Sequence, residues 1–116
     1  MKITNLKYIP PEKVEMDGVK DCQYQVAITS RDGAPSMAMR FFDVAPGGNT
    51  PLHNHPYEHE IYVTEGAGTV WREGQEVPLK AGDILYIPSD EKHQFKNASD
   101  KPFKFMCLIP SKFQKC

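Results

Sequence analysis

The four histidines are the residues of this chain with the most evident chemistry, because they are unevenly distributed. His53, His55 and His59 lie within one short segment, and His93 lies further along the chain. Neutral imidazole is the commonest protein ligand for transition metals. A single histidine on a strand is usually a hydrogen-bonded core residue, but three clustered rings without a metal would bury nitrogens that have no evident partners. We therefore predict that these four residues form a metal site.

Strand geometry offers a way to bring these rings together. Residues two apart in a strand lie on one face. If the segment is extended, one face carries His53, His55, Tyr57, His59, Ile61 and Val63, and the other carries Glu58, Glu60 and Tyr62. His93, at the start of a later strand, would reach the same point from a neighbouring strand.

The rest of the chain consists of short runs of alternating apolar and polar residues separated by turn signals such as Asp32-Gly33 and Glu73-Gly74. This pattern predicts an all-β sandwich or small barrel. We expect residues 1–22 to wrap around the outside, with a possible edge strand at 6–9, and the tail Ser111–Cys116 to be loose. The predicted strands are 23–30, 37–44, 57–64, 68–72, 75–79, 83–88, 93–97 and 102–109.

Composition excludes several classes of function. The chain has 116 residues, 14 Lys plus Arg and 15 Asp plus Glu, so its formal net charge is −1. This near-balance of charges gives the chain no strongly positive potential that would attract nucleic acid or anionic membranes. No apolar run suits a membrane span or a signal peptide. The three cysteines are widely spaced, which argues against a disulfide framework or a zinc ribbon. We predict one domain over residues 1–116, with a barrel core at about 23–110, and a cytoplasmic location.

Two stretches resemble the paired motifs of the cupin superfamily. Residues 47–66 are similar to motif 1, G-x5-H-x-H-x3-4-E-x6-G, through Gly47, His53, His55 and Gly66. Residues 82–97 are similar to motif 2, G-x5-P-x-G-x2-H-x3-N, and the matching residues are Gly82, Pro88, His93 and Asn97. The resemblance implies a cupin double-stranded β-helix, or jelly-roll, barrel.

The chain departs from these motifs at two positions. The carboxylate position of motif 1 is occupied by His59, and Glu60 would need a one-residue register change to take its place. Asp90 replaces a motif 2 glycine, and Asp tolerates a left-handed turn better than most residues.

The all-histidine set resembles small single-domain cupins that bind manganese through four histidines. The similarity implies one six-coordinate divalent metal per chain, held by His53, His55, His59 and His93, with two adjacent positions left for water or substrate. The resemblance favours manganese or iron, while ligand chemistry alone leaves zinc, nickel and copper open.

Strand parity also predicts the walls of a pocket. If Lys104 faces outward, then Phe105, Cys107 and Ile109 face inward, and we assign Phe42, Phe105, Ile109 and Tyr57 to the substrate pocket. Arg40 is a candidate catalytic residue that would bind a carboxylate or peroxide if its face is the barrel face; otherwise it is a surface charge. Cys107 is either a small core residue or a candidate catalytic thiol beside the metal, open to oxidation by peroxide.

The other face of the strand that carries Arg40 is also apolar, through Met37, Met39 and Phe41. We predict that a second subunit covers this face, which makes the protein a homodimer.

Four neutral ligands leave a divalent ion with its full positive charge, so the site should favour anions. We predict a metal-dependent oxygenase or dioxygenase-like enzyme that acts on a small anionic or enolisable substrate with dioxygen or peroxide. The alternatives are a non-catalytic module that binds or senses a metal or small ligand, and a redox-neutral isomerase or hydrolase in which the ion is only a Lewis acid.

Overall fold

The computed structural model describes residues 1–114, in which the regular structure is almost entirely β. Three short 3₁₀ turns, at Leu6–Tyr8, Ser30–Asp32 and Ser111–Phe113, are the only helical elements of this part of the chain, and none is long or apolar enough to cross a membrane. The nine strands are β1 (Glu12–Lys13), β2 (Lys20–Ile28), β3 (Met37–Asn49), β4 (His59–Glu65), β5 (Ala67–Arg72), β6 (Gln75–Lys80), β7 (Ile84–Ile87), β8 (Gln94–Lys96) and β9 (Phe103–Pro110).

The strands form one curled antiparallel sheet in the order β6-β5-β8-β3-β9-β4-β7, with β2 paired to β3 and β1 paired to β2. The long strand β3 makes this curl possible. Its first part pairs with β9, and its last residue, Asn49, pairs with Lys96 of β8, so one strand belongs to both halves of the barrel. The jelly-roll barrel predicted from the sequence is therefore confirmed.

Strand β9 shows how alternation builds the interior. Phe103, Phe105, Cys107 and Ile109 are 0%, 2%, 0% and 2% exposed, whereas the residues between them are partly exposed. Full burial of such a side chain contributes about 1.5–3 kcal/mol relative to leaving it in water. Because β9 lies between β3 and β4, its inner face forms the centre of the core.

Gly66 makes the turn from β4 to β5 possible. Its φ of 78° lies in the left-handed region, and a Cβ at this position would collide with the backbone carbonyl of Pro102. Only glycine satisfies both constraints, which explains why this position of motif 1 is a glycine.

Three local expectations are wrong. Residues 6–8 form a 3₁₀ turn that the Asn5 side chain caps, and the edge pairing is made by β1 instead. The strand predicted at 57–64 begins only at His59, because the chain bends at residues 56 and 57 before it joins the sheet. The tail is not loose as far as it is described: Ser111 is 4% exposed, and Phe113 packs against the core. Residues 115–116 lie outside the described part of the chain.

Candidate metal centre and pocket

The four histidine rings lie together inside the barrel. The His53 ring centroid is 5.0 Å from that of His55 and 4.9 Å from that of His93. The His59 ring centroid is 4.5 Å from that of His55 and 5.1 Å from that of His93. One ring nitrogen from each of His53, His55 and His93 lies within 4.8 Å of the others, and the Nε2 atoms of His55 and His59 are 2.6 Å apart. The structure thus brings all four predicted ligands together.

Backbone hydrogen bonds position the histidines that precede β4. The His53 N–H donates to the His93 carbonyl at 3.1 Å, and the His93 N–H donates back to the His53 carbonyl at 2.9 Å. The Asp90 N–H donates to the His55 carbonyl at 2.8 Å. The convergence of His53 and His55 therefore depends on a loop bonded to the segment before β8, and not on the strand alternation that the sequence suggested.

The outward-facing nitrogens of three rings have protein partners. His55 Nδ1 lies 2.9 Å from the Tyr57 carbonyl oxygen, and His93 Nδ1 lies 2.8 Å from the Glu91 carbonyl oxygen. His59 Nδ1 lies 2.8 Å from Cys107 Sγ. Because a carbonyl only accepts, His55 and His93 carry their proton on Nδ1 and present an unprotonated Nε2 when neutral. This is the arrangement of metal-binding histidines with oriented partners.

Burial keeps these rings neutral. Burial, together with repulsion from Arg40 and the neighbouring histidines, lowers the pKa of His53 to about 4 and that of His59 to about 2, and burial is the larger cause for both. Burial is also the main cause that lowers the pKa of His55 and His93. At neutral pH the cluster therefore offers nitrogen lone pairs to a cation, so the donor set fits a divalent metal.

His59 and its neighbour Glu60 lie on opposite faces of β4. The His59 side chain is buried in the barrel at 7% exposure, whereas Glu60 is exposed on the outer face. The register of β4, which pairs His59 with Ile87 and Glu60 with Tyr86, contains no bulge between these two residues. The structure therefore directs the imidazole, and not the carboxylate, towards the other histidines.

Arg40 and Cys107 lie directly opposite each other on β3 and β9, and both face the barrel interior. Arg40 Nη2 donates to Cys107 Sγ at 3.2 Å, and the guanidinium lies 4.9 Å from the centre of the Phe42 ring. The buried Nε of Arg40 has no hydrogen-bond partner, and no carboxylate within residues 1–114 forms an ion pair with this side chain. Arg40 therefore retains hydrogen-bonding capacity and a positive charge beside the histidines.

A cavity of about 290 Å³ adjoins the histidine cluster. Tyr57 stacks between His55 and Phe113, with ring centroids 3.8 Å and 4.4 Å away, and Phe42 stacks on Phe105 at 5.2 Å. The aromatic residues that line this cavity are Tyr24, Phe42, Tyr57, Phe95, Phe105 and Phe113.

The sequence prediction of the cavity wall differs from the structure at both ends of the chain. Ile109 is 2% exposed and is not among the lining residues, because parity gives the face of a strand but not the depth along the barrel. Val14 and Met16 from the N-terminal segment and Phe113 from the tail line the cavity and were missed. The one available signal was Phe113, an aromatic residue in an otherwise polar tail.

A second cavity, of about 500 Å³, lies beside β1 and β2 and is lined in part by Lys13, Asp21, Cys22 and Asp43. It lacks the convergence of nitrogen donors seen at the histidines. Among residues 1–114, the one group of three or more potential metal ligands whose donor atoms all lie within 4.8 Å of one another is His53, His55 and His93, and His59 adjoins it through the 2.6 Å contact with His55. The histidine cavity is therefore the candidate functional site.

Comparisons with known proteins agree with this architecture. An oxalate-binding protein of Thermotoga maritima is 31% identical over 105 residues, which are 87% of this chain and 87% of that protein. The solved structure of the polyketide cyclase RemF from Streptomyces resistomycificus superposes with a TM-score of 0.92 at 31% identity and covers 96% of this chain and 80% of that one. Quercetin 2,3-dioxygenase of Bacillus subtilis is 35% identical over 63 residues, 53% of this chain but 19% of that enzyme.

Several other curated relatives are longer proteins, and the chain spans about half of their length, or 63% in one case. The family described as "Cupin domain" matches residues 40–109, a range that begins within β3, ends within β9 and includes all four histidines. On this match and on the similarity to the Thermotoga protein, the chain belongs to the cupin family.

Proposed function

We propose that this protein is a metal-dependent enzyme of the oxygenase or dioxygenase type that acts on a small anionic or enolisable substrate. The observation that carries the proposal is the convergence of four neutral imidazoles beside an aromatic cavity that also contains the Arg40 guanidinium. The quercetin dioxygenase among the relatives supports the same class of reaction.

His53, His55, His59 and His93 would hold one divalent ion, for which manganese or iron is favoured by the four-histidine resemblance. When bound, such an ion polarises a coordinated substrate oxygen, and a redox-active ion also exchanges electrons with dioxygen or a peroxide. Because all four ligands are neutral, they leave the positive charge of the ion uncompensated. The cavity should therefore attract anions.

The residues of the wall have separate tasks in this proposal. Arg40 binds a carboxylate or enolate oxygen of the substrate through charge-assisted hydrogen bonds. Phe42, Phe105 and Tyr57 exclude water and pack against the apolar or unsaturated part of the substrate. Together these groups hold an anion with its charged end next to the histidines.

A second candidate, a non-catalytic module that binds a small anion, is favoured by the relative named as an oxalate-binding protein. The same Arg40 and histidine cluster would then bind the ligand without turnover. The two candidates share a site and differ only in whether the bound molecule is transformed.

One experiment separates the two candidates. The protein is loaded with Mn²⁺, Fe²⁺ or Zn²⁺, and consumption of dioxygen or hydroperoxide is measured over a panel of small carboxylates and diketones. Turnover with manganese or iron that is lost in His59→Ala and kept in the control Glu60→Ala would support the oxygenase. Tight binding without any turnover would support the binding module, and loss of substrate with zinc, without consumption of dioxygen or hydroperoxide, would indicate Lewis-acid chemistry.

We also propose that the protein is a homodimer. An apolar patch lies on the outer face of β3, β9, β4 and β7, where Tyr62, Ile84 and Tyr86 are 44%, 81% and 63% exposed. Register pairs Phe41 with Met106, Met106 with Tyr62, and Tyr62 with Ile84, so the patch is continuous across four strands. Such patches usually mark an interaction surface.

Light scattering tests the dimer directly. Ile84→Asp should convert a dimer to a monomer, whereas the control Val77→Asp, at an exposed position of β6, should leave it intact. A parent protein that is monomeric would contradict this part of the proposal.

We also propose a cytoplasmic location for the protein. Cys22 and Cys107 are both free thiols, which suits a reducing compartment.

A further inference from the structure

The metal-site histidines differ in what holds their outward-facing nitrogen. His55 and His93 face backbone carbonyls two residues away along the chain, and a carbonyl can only accept a hydrogen bond. His59 faces the thiol of Cys107, which belongs to a different strand and can either donate or accept. His59 is therefore the ring among these three whose partner does not fix the position of its proton.

The sheet register fixes this contact. Cys107 on β9 pairs with Arg40 on β3 and with Ile61 on β4, so His59, two residues before Ile61, is its diagonal neighbour on the inner face. Cys107 is 0% exposed and His59 is 7% exposed, so water is excluded as a substitute for the thiol. Arg40 Nη2 donates to the same sulfur and holds it from the other side.

The second nitrogen of His59 indicates where the proton lies without a metal. His55 carries its proton on Nδ1, so its Nε2 can only accept, and His59 Nε2 lies 2.6 Å from it. A neutral His59 satisfies this contact by donating from Nε2. Its Nδ1 is then unprotonated and accepts a hydrogen bond from the Cys107 S–H at 2.8 Å.

A metal at the cluster requires the opposite arrangement. A neutral His59 that binds through Nε2 must carry its proton on Nδ1 and donate it to Cys107 Sγ. The sulfur then accepts from both His59 and Arg40, and the thiol hydrogen turns towards the Leu108 carbonyl, 3.9 Å away. In this step the Nε2–H bond of His59 breaks as that nitrogen binds the metal and an Nδ1–H bond forms, so the ring stays neutral, the thiol keeps one hydrogen and the net number of protons on the protein is unchanged.

We infer that Cys107 is a positioning residue whose thiol reverses its hydrogen bond with His59, from donor to acceptor, when a metal binds. This inference rests on the proposed function, because it needs His59 to be a metal ligand. Cys107 then has a role in metal binding, which differs both from core packing and from oxidation of its thiol by peroxide.

Long-range ¹H–¹⁵N correlation spectra report the tautomer of each histidine, and Zn²⁺ is a diamagnetic probe for this measurement. In the metal-free parent, His59 should be protonated on Nε2, and with Zn²⁺ it should be protonated on Nδ1, whereas His55 and His93 should stay protonated on Nδ1. A His59 that carries its proton on Nδ1 in both states would overturn the inference even if zinc binds tightly.

Zinc titration of matched variants gives a second readout. Cys107→Ala should weaken zinc binding by about 10- to 100-fold, as loss of an outer partner of a metal ligand does. Cys107→Ser keeps a group that can donate and accept, so it should restore most of the affinity and the change of tautomer. Cys22→Ala, which removes a buried thiol that lines the other cavity, should bind zinc as the parent does.

Equal zinc affinity in Cys107→Ala and Cys22→Ala would overturn the inference and leave the metal site standing. Failure of the parent to bind any divalent ion would overturn the proposed function and the inference with it. The melting temperatures of the metal-free variants show whether each one is folded. If Cys107→Ala is not folded, Cys107→Ser tests the inference in its place.

Discussion

The two walls of the candidate metal site are built in different ways. The loop wall, His53, His55 and His93, is held by backbone hydrogen bonds between the segment before β4 and the segment before β8. The strand wall, Arg40, His59 and Cys107, is held by sheet register, and its polar side chains contact each other. We therefore expect a substitution in the strand wall to alter the chemistry at a bound metal directly. A substitution of a residue that holds the loop wall in place should instead lower the stability of the fold.

The largest effect should come from the strand wall. His59→Ala removes one of the two buried imidazoles of the cluster, so the affinity for Zn²⁺ measured by isothermal titration calorimetry should fall by at least about 100-fold, more than the loss of an outer partner causes. Glu60→Ala should leave the affinity unchanged, because this side chain lies on the outer face. If Glu60→Ala loses zinc binding and His59→Ala retains it, the metal ligand is the Glu60 carboxylate and not the His59 imidazole.

The loop wall should respond in stability. Thr50 is 7% exposed, and its Oγ1 accepts a hydrogen bond from the Phe95 N–H at 2.8 Å. Thr50→Val leaves that buried donor without its partner, so the free energy of unfolding should fall by about 1–3 kcal/mol. Urea denaturation measures this change, and the exposed Thr64→Val is the matched control. Equal stability of the two variants would mean that the loop is held in some other way.

Acid should weaken both walls. Because the pKa of His53 is lowered to about 4 and that of His59 to about 2, the unfolded chain binds more protons than the folded one once the pH falls below about 6.5. The stability of the metal-free protein is therefore highest above that pH and declines as the pH falls towards 4. The groups that oppose protonation in the folded state are Arg40 and the other histidines.

Thermal melts at pH 7 and pH 5 test this dependence, and a decrease in Tm on the order of 10–15 °C is expected. A double variant, His53→Gln with His59→Gln, should lose most of the decrease. A melting temperature that stays constant or rises between pH 7 and pH 5 would contradict burial of neutral rings.

The smallest effect is expected where the chain departs from motif 2. Asp90 has a φ of 67°, and its N–H still donates to the His55 carbonyl. Asp90→Gly relieves the left-handed strain but increases the entropy of the unfolded chain, so stability should change by less than about 1 kcal/mol. Asp90→Val, which places a β-branched residue at the same φ, should destabilise by about 1–2 kcal/mol. Equal stability of these two variants would show that the turn relaxes.

The difference between the walls also explains what the sequence could predict. Period-2 alternation identifies the inner faces of β4 and β9, so the inward positions of His59, Phe105 and Cys107 follow from parity alone. The positions of His53 and His55 could be inferred only through the motif. The segment before β4 that carries them is not a continuous strand, and their convergence depends on backbone hydrogen bonds to the segment before β8.

Other features were beyond a local reading of the sequence. Register across strands far apart in the chain places Cys107 against both Arg40 and His59, and no spacing in the sequence shows this contact. Phe113 returns to the cavity through a 3₁₀ turn after β9, where local composition suggested a loose end. Long-range packing determines both, and periodicity carries no information about it.

The central claim is that imidazoles from both walls bind one divalent ion. Anomalous diffraction from crystals soaked in Mn²⁺, recorded on both sides of the manganese absorption edge, tests it most directly. We expect a single strong peak that lies between the ring nitrogens of His53, His55, His59 and His93. Well-ordered crystals with no peak at this position, or with manganese bound only to surface carboxylates, would contradict it.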